Sequence, residues 1–202
     1  MISPNQTEPY ARKILLQIEG GLNKIFGNDL NPFYCLGALG FYFFWVVVIS
    51  GAYIYAFYET GIELSYASVE YITKEQWYLG GVMRSLHRYA SDALVAVMIL
   101  HLLRELILGR FRGARWFAWL TGVMLIWLII ASGINGYWMV WDKLAQYSVV
   151  STTEWLDWLP IFSVPLSQSF ITREVLNDRF FTLISFSHVT VPLMTLFFLW
   201  VH

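Results

Sequence analysis

Three stretches of this chain, residues 33–58, 116–141 and 180–202, contain no Asp, Glu, Lys or Arg over 26, 26 and 23 residues. Each exceeds the roughly 20 apolar residues with which an α-helix crosses the hydrocarbon core of a bilayer. A fourth stretch, about 81–108, is long enough but is interrupted by Arg84, Arg88, Asp92 and Arg104. With 57% hydrophobic and only 13% charged residues, the chain reads as an integral membrane protein and not as an ordinary soluble domain. The expected fold is all-α, a transmembrane four-helix bundle.

Charge placement orients that bundle. The connection between the second and third spans carries Arg104, Arg110, Arg112 and Arg115 against Glu105, whereas the connection between the first and second carries Glu59, Glu63, Glu70 and Glu75 against Lys74. The excess of basic residues puts the second connection, and with it the N-terminus, on the inner, cytoplasmic-equivalent side. Residues 1–32 interleave Ile14, Leu15, Ile18, Leu22, Ile25 and Phe26 with Arg12, Lys13, Gln17, Glu19 and Lys24, which suits an amphipathic helix lying on the inner surface. They lack the apolar run and cleavage pattern of a secretory signal. Between the third and fourth spans, about 142–178, the Trp155, Leu156, Trp158, Leu159 cluster and Pro160 and Pro165 suit short helices at the outer interface, where tryptophan is enriched.

The four histidines form two pairs, His87 with His101 and His188 with His202, each fourteen residues apart within the second and fourth spans. That interval is nearly a whole number of helical turns, so both rings of a pair leave one face, roughly 21 Å apart along the axis. The second and fourth spans run parallel, which sets His87 level with His188 and His101 level with His202. A single histidine in an apolar segment is as readily a hydrogen-bonded packing residue. Four in matched intervals point to two bis-histidine haems, one near each side of the membrane.

Glycines repeat the interval, with Gly37 and Gly51 on the first span and Gly122 and Gly136 on the third. A flat macrocycle held between the second and fourth spans needs neighbours that approach without side chains, which glycine permits; small-residue helix packing is the alternative. Arg84 and Arg88 flank His87, and Arg104 follows His101 by three, so forked donors for haem propionates stand near both levels. Anchoring at the membrane boundary would also suit these arginines.

Taken together, Asn31-Pro32-Phe33-Tyr34-Cys35-Leu36-Gly37, Arg84-Ser85-Leu86-His87-Arg88 with His101 and Arg104, Gly122, Gly136-Tyr137 with Trp141-Asp142, and His188 with Pro192 resemble the amino-terminal four-helix half of cytochrome b, closest to the cytochrome b6 branch. The resemblance covers residues 31–202 and divides the chain into a surface segment, 1–32, and a four-helix haem-binding domain, 33–202. It implies two b haems and quinone as cofactors, and a redox subunit of a quinol:acceptor oxidoreductase of bc or b6f type, without a catalytic triad of its own. Quinol would be oxidised at the outer side, and one electron would cross through the two haems to quinone at the inner side in a proton-translocating Q-cycle. Implied partners are a Rieske iron–sulfur protein, a c-type cytochrome, and a carboxyl-terminal half of cytochrome b or its separate, subunit-IV-like equivalent, in a dimeric complex within an energy-transducing membrane and without nucleic acid. In the b6 branch, the cysteine of a similar Phe-Tyr-Cys-Leu-Gly setting attaches a third, c-type haem, which makes Cys35 the candidate attachment point; a free thiol is the alternative.

Departures from the family pattern are specific. Val140 stands where the family usually has proline, Arg179 lies about one helical turn further from His188 than the corresponding arginine, and the fourteen-residue step to His202 follows the bc1 rather than the plastid type. Since the chain ends on a proposed ligand, the polypeptide is expected to continue or to be completed by another subunit. Two other readings remain: a dihaem membrane anchor of another quinone-linked dehydrogenase or reductase, and a non-redox bundle whose histidines serve packing or proton relay.

Overall fold

A computed structural model describes residues 9–160, 164–165 and 178–202. Among these residues every regular element is a helix: α1 (Tyr10–Phe26), α2 (Leu36–Tyr55), α3 (Leu64–Lys74), α4 (Gly80–Ile107), α5 (Trp116–Met139), α6 (Lys143–Asp157) and α7 (Asp178–Val201), with a 3-10 turn at Gly113–Arg115 leading into α5. Leu36–Tyr55, Gly113–Met139 and Asp178–Val201 each hold an 18-residue stretch, of mean hydropathy 1.8, 2.1 and 1.7, which makes three helices long and apolar enough to cross a membrane. Only 17%, 11% and 17% of those stretches is buried inside the chain, which leaves apolar side chains such as Phe41, Ile49, Trp127, Phe186 and Phe197 exposed. The 28 residues of α4 extend about 42 Å, ample for a fourth crossing, and its charges are what set it apart in hydropathy.

The bundle is built from two tight pairs, α2 on α4 and α5 on α7, joined along α4 and α5. Its core is a layer of Phe44, Leu94 and Met98, packed by Phe43, Val48, Ile126, Ile129 and Leu199. Phe44, Leu94 and Ile129 each lie seven residues from both members of a fourteen-residue pair on their own helix. Thr195 is the corresponding midpoint of α7, almost fully buried with its hydroxyl donating to the Val191 carbonyl at 2.9 Å. A packed layer therefore separates the two histidine levels.

At the His87/His188 end a second cluster joins Trp141, Val149 and Phe181, with Trp138 and Phe180 against it. Trp141 ends α5 in the left-handed region, φ 56, a conformation that costs a bulky residue about 1–3 kcal/mol. Edge contacts to Phe181 at 4.8 Å and Phe180 at 5.8 Å, and a hydrogen bond from Gln146 Nε2 to its carbonyl at 3.0 Å, hold it there. Asp142 then caps α6, its carboxylate accepting from the Ala145 amide at 2.7 Å. The helix expected at this interface is thus α6, beside which Trp155 and Trp158 are 69% and 90% exposed. The rest of that connection, 161–163 and 166–177, lies outside the described residues.

Sequence reading did not foresee α3. Its buried face is Ser65, Ser68, Val69 and Ile72, with helical spacing but small and partly polar side chains. Gly80 lets α3 close on the start of α4, because a Cβ there would stand 2.6 Å from the Ile72 carbonyl oxygen. The Tyr58 hydroxyl bonds Ser65 Oγ and the Met139 carbonyl, both at 2.9 Å, and so ties the first connection to α5. Helix α1 forms as an amphipathic helix, but Ile14, Ile18 and Ile25 face away from the chain and its buried residues are Leu15 and Glu19.

Replacing the α6 cap, Asp142→Ala, is expected to cost about 1 kcal/mol, whereas Asp142→Asn should retain most of it. Thermal unfolding of the detergent-solubilised variants followed by circular dichroism measures the difference. Equal midpoints for alanine and wild type would show that the cap contributes nothing.

Candidate functional site

The expected histidine partners meet. His87 on α4 and His188 on α7 have ring centroids 6.1 Å apart at 69°, and His101 lies within electrostatic reach of His202. The first pair thus faces each other between α4 and α7, and His101 and His202 lie toward the opposite end of the Phe44, Leu94 and Ile129 layer.

Every one of the four glycines faces one of the four imidazoles. An added Cβ would lie 2.9 Å from His87 Cε1 at Gly51 and 2.5 Å from His188 Cε1 at Gly136. The corresponding distances are 3.3 Å to His202 at Gly122 and 3.7 Å to His101 at Gly37. Gly37 meets His101 while Gly51 meets His87, so α2 runs antiparallel to α4; the same crossing of order makes α5 antiparallel to α7. At the His87/His188 level a methyl group would collide with the ring, and at Gly37 it would make ordinary contact.

Hydrogen bonds fix how the rings present themselves. His87 Nδ1 lies 3.0 Å from the Val47 carbonyl and His188 Nδ1 lies 2.9 Å from the Ser132 carbonyl. Both acceptors are four residues before the facing glycine. A carbonyl can only accept, so Nδ1 carries the proton and the Nε2 lone pair is left for a metal. His202 Nδ1 is 2.8 Å from Thr121 Oγ1. That hydroxyl also lies within hydrogen-bond distance of the carbonyls of Phe117 and Ala118 at 3.1 and 3.0 Å. Ser50 plays a lesser version of this part, its Oγ 3.3 Å from His87 Nδ1. Asn135 donates to Ser187 Oγ at 3.0 Å, locking α5 to α7 one residue before Gly136 and His188.

Neither Ser50 nor Thr121 was singled out from sequence, yet a signal was present: a hydroxyl residue directly precedes one glycine of each fourteen-residue pair, at 50–51 and at 121–122. Among the described residues no three His, Cys, Asp or Glu side chains converge on one point. Two facing imidazoles with free Nε2 atoms instead suit a metal whose remaining ligands come from a macrocycle.

The arginines divide. Arg84 Nη1 donates to Thr73 Oγ1 on α3 at 3.0 Å, and Arg88 is exposed within electrostatic reach of Tyr137. Arg104 is largely buried, its Nε 2.8 Å from Glu19 Oε1 and its Nη1 3.3 Å from Glu105 Oε1. Expected as a propionate donor, it has carboxylate partners within its own chain, because a buried guanidinium needs a counter-charge. Cys35 is exposed and immediately precedes α2, two residues before the glycine that faces His101.

The family described as cytochrome b/b6/petB matches residues 22–202. Among solved structures the chain is similar to one titled "Hyperthermophilic respiratory Complex III", with a TM-score of 0.72 and 21% sequence identity. The match covers 94% of this chain and 53% of the other, so this chain spans about half the length of that relative and shares its fold.

Alanine at Gly51 or Gly136 is expected to push the facing imidazole aside and weaken metalloporphyrin binding at that level roughly 10–100-fold, the range seen when groups that orient a ligand histidine are altered. Alanine at Gly37 should be tolerated. Haem absorbance per purified polypeptide tests this, and equal losses in Gly37→Ala and Gly136→Ala would contradict the contact argument.

Proposed function

Because the chain belongs to the cytochrome b/b6 family, we propose that it carries electrons across a membrane as the cytochrome b subunit of a quinol-oxidising complex of bc or b6f type, working in a proton-translocating Q-cycle. The observation that carries this reading is that each of the four imidazoles is backed by a glycine of α2 or α5, with the His87 and His188 rings 6.1 Å apart across α4 and α7. His87 and His188 would ligate one haem b, and His101 and His202 the other.

The residues fit that group on two counts. Glycine cradles at 51 and 136 leave no room for even a methyl group beside the ligand rings, and the Nδ1 bonds of His87 to Val47 and of His188 to Ser132 hold the tautomer that leaves Nε2 unprotonated. Haem b, when bound, would supply the one-electron couple. The chain's own work is to fix the four imidazoles, to keep water from the layer between them, and to place charge near each level. Arg84 and Arg88 are the propionate partners we assign at the His87/His188 level. At the other level Arg104 acts together with Glu19 and Glu105.

Cys35 is the proposed attachment point of a covalent c-type haem, supported by its exposure beside the His101 level. A quinol site would be completed by a carboxyl-terminal half or subunit-IV-like protein, with a Rieske protein and a c-type cytochrome as electron acceptors in a dimeric complex. The N-terminus and the Arg110, Arg112, Arg115 connection would lie on the inner side.

A pyridine haemochrome assay before and after acidified-solvent extraction tests the whole reading. Two extractable b haems per chain are expected, falling to one in His87→Ala, and any haem left after extraction should vanish in Cys35→Ser. A purified, stably inserted chain with no b-type signal would remove the proposal, and extraction-resistant haem persisting in Cys35→Ser would remove the attachment.

A further inference from the structure

A carboxylate on an amphipathic surface helix normally faces water, but Glu19 is 5% exposed. The chain around it is built to receive it. Fully buried Asn31 donates through Nδ2 to the Glu19 backbone carbonyl at 3.1 Å and to Asn23 Oδ1 at 2.6 Å, while its own Oδ1 accepts from the Phe33 amide at 3.0 Å. Asn23 in turn donates to the Tyr34 hydroxyl at 2.9 Å. The Tyr34 ring lies 5.4 Å from the Arg104 guanidinium carbon. Helix α1, the turn before α2, and α4 therefore close on a single arginine.

That arginine stands one helical turn beyond His101 on the same helix. Its Nε is held by Glu19 and its Nη1 by Glu105, which also takes Arg110 Nη1 at 3.0 Å. Two arginines and two carboxylates thus make a cluster without net charge. Besides His202, the charged groups within electrostatic reach of His101 are Glu105, Arg104 and Arg110, all members of this cluster. Opposite charges in a poorly solvated region act over longer distances than in water, and removing one partner of a buried pair leaves the other uncompensated.

We propose that Glu19 is a positioning residue for the redox centre at His101 and His202: it clamps and neutralises Arg104, and so holds down the reduction potential of the haem at that level. This rests on the haem reading above. A fixed positive charge beside a redox centre favours the electron-rich state. Without the Glu19 carboxylate, Arg104 would present such a charge and draw electrons toward this haem from the one at His87 and His188.

Potentiometric titration of the two b haems in the intact complex tests this, with His101→Ala identifying which absorbance belongs to the His101/His202 level. Glu19→Gln is expected to raise the potential at that level alone, shifting the equilibrium between the haems about tenfold, which is 59 mV for a one-electron couple. Glu19→Asp should stay near wild type. The double variant Glu19→Gln, Arg104→Gln should return toward wild type, and Arg104→Gln alone, which leaves the Glu19 carboxylate uncompensated, should lower the potential at that level and serves as the test if Glu19→Gln fails to assemble. An unchanged potential, an equal shift of both haems, or a double variant that stays raised would overturn the proposal. Absence of two b signals from the unaltered complex would overturn the haem reading and this proposal with it.

Discussion

Register between helices is the constraint on which the rest of this structure depends. Two histidines and two glycines can meet at both ends of a helix pair only if both helices space them alike, and fourteen residues is close to four turns. One inserted residue would turn everything beyond it by about 100°, taking a ring off its glycine and its Nδ1 off its carbonyl. The two pairs, α2 with α4 and α5 with α7, solve the same problem with the same interval. The Asn135–Ser187 bond holds the register of α5 on α7 from outside the rings, and the Tyr58 link to Met139 ties the end of the first pair to the second.

The charges of α4 follow from its place between partners. Arg84 reaches Thr73 on α3 near one end, and Arg104 reaches Glu19 on α1 near the other. Between them lie Ala90, Leu94 and Met98, all buried. Surface helices that look peripheral in the chain order therefore supply the groups that let an apolar bundle keep two arginines on a central helix. Hydropathy alone ranks α4 below its neighbours because it sees those arginines without their acceptors.

Much of this could be read from residues alone where a period carried the information. The uncharged runs mark α2, α5 and α7, and the repeated interval marks the four histidines and the glycines that face them. What escaped lacks a period or inverts a default. Helix α3 buries Ser65 and Ser68, side chains that carry little apolar signal. Glu19 sits at a helical position that serves the buried face, but an acid on an amphipathic helix is ordinarily assigned to water. Once Glu19 turns inward, Arg104 has a partner that no spacing rule connects to it, 85 residues away in the chain. Ser50 and Thr121 reach the imidazoles through hydroxyls that only the folded geometry reveals.

In the proposed function the midpoint layer would separate two kinds of traffic. Phe44, Leu94 and Ile129 offer no donor or acceptor from their side chains, and the hydroxyl of Thr195, the midpoint of α7, is spent on its own helix. A proton moves by passing along a hydrogen-bonded chain, which this stretch interrupts, whereas an electron can tunnel through packed hydrocarbon. A bundle with such a waist would pass one particle and refuse the other, and that filter would allow a charge difference between its two ends to be maintained.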